Sequence, residues 1–237
     1  MRKHKTLEII KNEYPGLITP YEEVKLADTT HIVGKEFPVL KHKIDALRDK
    51  DLPGSDFEKL VDEITTIMIV MATAHIKLEE YESESPICKF VGERIAGKKM
   101  AICPIWRAGD GMRPAVKRVF PKARIGSIGV YRDEDTLRPQ SYFFKMPKNM
   151  SDREAYILDP MLATGGSADF AIQKVKETGC SSIYFLCIIA APQGVDLIQR
   201  KHPDIELYVG NLDLGLNENG YIVPGLGDAG DRLFGTK

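Results

Sequence analysis

No apolar run in this chain approaches the ~20 residues that a membrane-spanning helix needs. An excess of either charge is also missing: 33 Lys and Arg stand against 34 Asp and Glu, a formal net charge of -1. That balance gives no global pull toward nucleic acid or an anionic membrane. It leaves room for a local basic site for a small phosphorylated ligand. The four cysteines, Cys88, Cys103, Cys180 and Cys187, form no CxxC pair. Cys103 and Cys187 fall inside apolar runs, so buried free thiols are expected rather than disulfides. Such usage fits a reducing, cytoplasmic setting. The start, Met1-Arg2-Lys3-His4-Lys5, has no apolar segment behind it, so no signal peptide is expected. Internal repeats and low-complexity stretches are absent as well. Neither a Walker A loop nor a GxGxxG after a strand occurs, which removes two common nucleotide-binding readings.

The remaining composition is that of an ordinary globular chain. It has 237 residues, 43% apolar and 28% charged, enough for a sizeable core. Residues 1–36 are polar and interrupted by Pro15, Gly16 and Pro20, and read as an N-terminal extension or arm. Residues 37–237 read as the main domain.

Two helices are expected early in that domain. Phe57, Leu60, Val61, Ile64, Ile67, Met68, Met71 and Leu78 follow a helical spacing over 55–80. Ser55 and Glu58 form a capping-box pattern after Pro53 and Gly54. A second helix is expected from Pro86 to about Ala96, stopped by Gly97. His75 and Glu79 then lie four residues apart on a helix, with a structural or surface role expected.

From residue 99 the pattern changes. Met100–Trp106, Ile125–Tyr131, Ala155–Leu158 and Ile183–Ala191 are short, continuous apolar runs. They read as strands covered on both faces. Helical spacing returns at Ala168, Ala171, Ile172 and Val175, closed by Gly179, and again over Val195–Lys201. Alternating strand and helix predict an α/β fold with a mostly parallel sheet flanked by helices. Ligands in such sheets gather at the carboxyl ends of strands.

One such end carries the strongest chemical signal. In Tyr156-Ile157-Leu158-Asp159-Pro160-Met161-Leu162-Ala163-Thr164-Gly165-Gly166-Ser167, an apolar strand ends in an acid. A short loop with two hydroxyls and two glycines then opens a helix. Free N–H groups at a helix N-terminus favour a phosphate dianion. Gly165 and Gly166 let the backbone approach closely and can take positive φ. Asp159 is placed to accept hydrogen bonds from sugar hydroxyls. An ordinary strand-to-helix turn with Ser167 as N-cap stays open.

The run DPMLATGGS closely resembles the phosphoribosyl pyrophosphate (PRPP) loop of uracil phosphoribosyltransferases, a type I phosphoribosyltransferase family. The resemblance implies PRPP contacts from Asp159, Pro160, Met161, Leu162, Ala163, Thr164, Gly165, Gly166 and Ser167. Cys103-Pro104-Ile105-Trp106-Arg107-Ala108-Gly109-Asp110-Gly111-Met112 is similar to the family's P-I-L-R-A-G-x-G-M loop, which implies that Arg107 binds the pyrophosphate. A solvated surface arginine is the plain alternative. Trp106 and Asp110 depart from the pattern, where aliphatic residues are usual. Asp110 adds negative charge that could weaken PRPP binding or help hold a metal.

Tyr131-Arg132-Asp133-Glu134-Asp135-Thr136-Leu137-Arg138-Pro139 resembles the family's Y-R-x-E-x-T-L-x-P. Arg132 carries over as a second PRPP-binding cation, and Arg138 receives no role. The resemblance makes 133–148 a polar, protruding β-hairpin that covers the site. Gly220 to Asp231 is too Gly-rich for a regular element, yet Tyr221, Ile222, Val223 and Leu226 anchor it. It resembles the family's C-terminal uracil-binding loop. That implies uracil contacts from Ile222, Gly227, Asp228 and Ala229, with Asp228 also on PRPP. Phe37 stands where the family usually has His, ahead of Pro38-Val39-Leu40-Lys41-His42-Lys43. The resemblance spans roughly residues 37–237 and is weakest over 65–99.

The implied reaction makes UMP and pyrophosphate from uracil and PRPP, as in pyrimidine salvage. Arg107, Arg132 and Asp228 are the implied catalytic groups. Mg²⁺ is the implied cofactor, held mainly by PRPP and water. A homo-oligomer (dimer or tetramer), GTP or CTP as an effector, and no nucleic-acid or membrane partner complete the expectation. Two rivals remain: transfer to another base, and a non-catalytic nucleotide-sensing or RNA-binding regulator on the same fold.

Overall fold

The computed structural model describes residues 9–10, 24–97, 99–132 and 139–236, with backbone only at 132, 139 and 140. In chain order, β1 (Thr30–Ile32) precedes helices α1 (Pro38–Leu47) and α2 (Gly54–Ala72). Then come β2 (Leu78–Glu84), β3 (Lys89–Ile95), β4 (Ala101–Trp106) and α3 (Arg113–Val119). The middle holds β5 (Arg124–Ile125), β6 (Ser127–Arg132), β7 (Pro139–Lys145), β8 (Glu154–Leu158), β9 (Met161–Leu162) and α4 (Gly166–Lys176). The last part is β10 (Ser182–Ala190), α5 (Pro192–Lys201), β11 (Glu206–Leu212), β12 (Gly215–Leu216), β13 (Ile222–Val223) and α6 (Ala229–Phe234).

The main sheet runs β1-β11-β10-β8-β4-β6-β7. Along that path every pair is parallel except β6–β7. The α/β class and the mostly parallel sheet are as the sequence predicts. Period-two alternation explains how both faces are buried. On β10, Tyr184, Leu186 and Ile188 pack with α1 and α2. Ile183, Phe185 and Cys187 pack on the other face, with α4 and α5. No polar stripe interrupts these strands because neither face meets water.

The early helices differ from expectation. Helix α2 ends at Ala72, where the Thr73 hydroxyl donates to the carbonyl of Ile69. Leu78 therefore belongs to β2 and not to the helix. The Ser55–Glu58 capping box does not form: the N-cap is Pro53, with no side-chain cap bond. The segment expected as a helix from Pro86 is instead the return arm of a hairpin. Its turn is set by Ser85, whose N–H donates to the carbonyl of Cys88 at 2.9 Å, while its Oγ accepts from the Ile87 and Cys88 N–H groups. Local turn chemistry and cross-strand pairing outweigh the Pro-first, Gly-last helix signal there.

With α2 shortened, His75 and Glu79 share no helix face. His75 lies 2.8 Å from the Tyr184 hydroxyl and 3.1 Å from Glu154, and Glu79 accepts from Arg94. Upstream, Thr30–Ile32, within the stretch assigned to the extension, adds an edge strand beside β11. All four cysteines are free, and Cys103 and Cys187 are buried, whereas Cys88 is exposed. Burial pushes the Cys103 thiol up to about 12, which leaves it protonated and inert. Among the described residues no helix is long and apolar enough to cross a membrane.

Candidate active site

Parallel pairing brings the carboxyl ends of β4, β8 and β10 to one edge of the sheet. The phosphate cradle leaves β8 there. The carbonyl of Pro160 accepts the N–H groups of Ile188 and Ile189, both at 3.1 Å. That of Leu162 accepts from Ala191 at 2.8 Å. Met161 and Leu162 pair with Ile189 and Ala190. The loop is thus stitched to the neighbouring strand. Helix α4 has Gly165 as its N-cap, at φ 86°, so the Ser167 N-cap alternative does not hold. Of the two glycines only Gly165 takes positive φ. Glycine offers no side-chain oxygen to the first-turn N–H groups, which suits a ligand phosphate in that place. Thr164 and Ser167 are exposed beside them.

Asp159 follows β8 directly and accepts the Met161 N–H at 3.3 Å. Burial pushes its carboxyl up to about 7, against the smaller opposing pull of that N–H. The folded carboxyl therefore keeps a proton that the unfolded chain has lost, over a window from about pH 4 to pH 7. More protons on the folded state means stability falls as pH rises through this window. Asp159→Asn should flatten that dependence. Urea midpoints of both proteins across pH 4–8 measure it, and parallel curves would contradict it.

The arginine loop leaves β4 next door. The Trp106–Arg107 peptide bond is cis. Gly109 packs so closely on β8 that a Cβ there would lie 2.1 Å from the Leu158 carbonyl oxygen. The loops after β4 and β8 are thereby held edge to edge. Arg107 is 59% exposed, with one guanidinium nitrogen 3.8 Å from an Asp231 oxygen. The two departures from the family pattern have partners. Trp106 stacks on Phe143 of β7, with centroids 5.4 Å apart and planes 14° from parallel. Asp110 accepts Arg113 Nε at 2.6 Å and Nη2 at 3.2 Å. That bidentate pair offsets the carboxylate's charge inside its own turn.

Strand β6 ends at Arg132, whose side chain lies outside the described residues, as do residues 133–138. The antiparallel β6–β7 pair forms the stem of the expected hairpin.

The C-terminal loop is built around the β12–β13 pair. Ile222, Val223, Leu226 and Ala229 are buried, so the side chains of Ile222 and Ala229 are spent on the core. Asp228 is exposed and caps α6, its Oδ1 accepting the Asp231 N–H at 2.9 Å.

Sequence reasoning missed three residues that hold this loop. Arg232 donates to the carbonyls of Leu47 and Leu226 at 3.0 and 2.9 Å and lies 4.2 Å over the Phe57 ring. Arg48, half-buried, and Asp213, fully buried, form a bidentate pair, at 2.6 and 2.7 Å. The Arg48–Asp213 partners are 165 residues apart, and no local pattern announces them.

Cavities of about 570 Å³ beside His75 and Glu154, and about 620 Å³ beside Arg124 and Phe143, lie away from the cradle. Among the described residues no cluster of three or more His, Cys, Asp or Glu could hold a metal by itself.

A glycine-capped helix start after β8, an arginine loop after β4 and a Gly-rich C-terminal loop, met on the carboxyl edge of such a sheet, have the arrangement of a phosphoribosyltransferase fold. The uracil phosphoribosyltransferase family model matches residues 35–236. A uracil phosphoribosyltransferase of Finegoldia magna is 52% identical over 202 residues, 85% of this chain and 97% of that protein. One from Clostridium botulinum (strain Eklund 17B) is 50% identical over 206 residues, covering 87% and 99%. Among solved structures, the AQ2163 protein from Aquifex aeolicus superposes with a TM-score of 0.79 at 34% identity, over 84% of this chain and 95% of that one. The chain belongs to the uracil phosphoribosyltransferase family.

Proposed function

We propose that this chain transfers the ribose phosphate of PRPP to uracil, giving UMP and pyrophosphate. The observation that carries this is the meeting of three loops at one edge, where Arg107 of the β4 loop lies 3.8 Å from Asp231 beside the base loop. In this reading residues 163–167 hold the 5′-phosphate and Asp159 accepts the ribose hydroxyls, which aims C1 at the base. Arg107 and Arg132 stabilise charge on the departing pyrophosphate. N1 of uracil bonds to C1 as the bond from C1 to the pyrophosphate oxygen breaks, and Asp228 takes the N1 proton. No cluster of described residues would hold a metal alone, so a Mg²⁺ ion would arrive on PRPP and be held mainly by its oxygens and by water. When bound, that ion neutralises pyrophosphate charge.

Backbone recognition suits uracil, whose N3–H donor lies between two acceptors. Cytosine reverses part of that pattern and would leave buried groups unpaired. The same reading takes the protein to be a cytoplasmic homo-oligomer, a dimer or tetramer, with GTP or CTP as an effector. The test is incubation with PRPP, Mg²⁺ and each free base in turn. Pyrophosphate release with uracil alone is expected. Release with another base would favour the base rival, and no release with any base would favour the regulator.

A further inference from the structure

We infer that Arg48 and Asp213 are positioning residues that hold the base loop in its uracil-reading shape before substrate arrives. This rests on the proposed uracil role of Ile222 and Gly227–Ala229. Asp213 directly follows β11, and its N–H donates to the Ala190 carbonyl at the end of β10, at 2.8 Å. Its carboxylate is thus tied to the rigid edge of the sheet, and it is fully buried. One oxygen accepts from Arg48 Nη2 and from Asn211 Nδ2, both at 2.6 Å. The other accepts from Arg48 Nη1 at 2.7 Å and from the Gly225 N–H at 3.0 Å. Arg48 Nη1 also donates to the Gly225 carbonyl at 2.7 Å.

Both backbone polar groups of Gly225 are therefore gripped by one ion pair. Gly225 lies between the two stretches assigned to uracil. A buried ion pair is a poor way to add stability, because desolvation cancels much of its attraction. A planar fork with fixed donor directions is a good way to fix geometry. A backbone that discriminates by hydrogen bonds needs its carbonyls and N–H groups placed in advance. The device touches neither substrate, and all the residues assigned to PRPP except Asp228 lie on other loops.

The test uses the full-length chain with Arg48→Lys and Asp213→Asn. Lysine keeps the charge but cannot bind the carboxylate as a fork while also holding the Gly225 carbonyl. Asparagine turns an NH₂ group toward the arginine donors. Each variant should raise KM for uracil by about 10-fold or more, with KM for PRPP changed less than about 2-fold. A lower melting temperature with uracil KM unchanged, or equal rises in both KM values, would overturn the positioning role.

Amide exchange on the wild-type protein gives a check that needs no variant. The Gly225 amide should be protected to the level of β10 and β11 before uracil is added. Fast exchange there without uracil would also overturn the role. In the same experiment uracil with pyrophosphate should slow the Gly227 and Ala229 amides. Failure of that slowing would remove the base-loop assignment itself, whatever Gly225 does.

Discussion

Arg107→Ala is expected to lower kcat/KM for PRPP by about 10²–10³-fold, the usual effect of deleting a donor aimed at developing charge. The side chain is mostly exposed and its ion pair with Asp231 is long at 3.8 Å. Its removal should therefore change stability by no more than about 0.5 kcal/mol. The packing of Gly109 on β8 holds the loop through the backbone, so the loop should keep its path. Steady-state rates with PRPP varied, beside a thermal melt, make the comparison. A near-normal rate would refute the leaving-group role. A large loss of melting temperature would mean that Arg107 is structural instead.

Asp228→Asn should lower kcat by about 10²-fold or more, the usual range for a lost general base. Asp228 also caps α6 through the Asp231 N–H, so an alanine there would confuse two effects. Asparagine caps as well as aspartate, which keeps Asp231 in place beside Arg107. Asp228→Ala should lose kcat similarly and, in addition, about 1 kcal/mol of stability with the cap. Normal turnover by the asparagine variant would leave Asp228 as a cap alone.

Much of the cradle was legible residue by residue, because everything it needs is contiguous. The strand, the acid at its end, the small loop and the helix occupy Tyr156 to Lys176. The strand bounds there were read to within a residue or two. The alternative left open inside it, Ser167 as N-cap against the observed Gly165, turns on φ at one glycine, which composition does not fix. The β2–β3 hairpin was misread for a related reason. Pro86 and Gly97 bracket a plausible helix, and only pairing with Leu78–Glu84 turns Lys89–Ile95 into a strand.

Trp106 and Asp110 divide in the same way. The partner of Asp110 is Arg113, three residues on, and a salt bridge at that spacing could have been read from the chain. The partner of Trp106 is Phe143, on a strand that reaches it only through the sheet order β4-β6-β7.

By itself, then, the amino-acid order determined the doubly covered parallel sheet and the strand, loop and helix around the segment Asp159 to Ser167. Both depend on side-chain period and on neighbours within a dozen residues. Only the tertiary structure decided how the base loop is held. Arg48 reaches Asp213 and Gly225, and Arg232 reaches Leu47, across separations of 165 to 185 residues. Such contacts follow from which strands end side by side at one edge, and no local period records that.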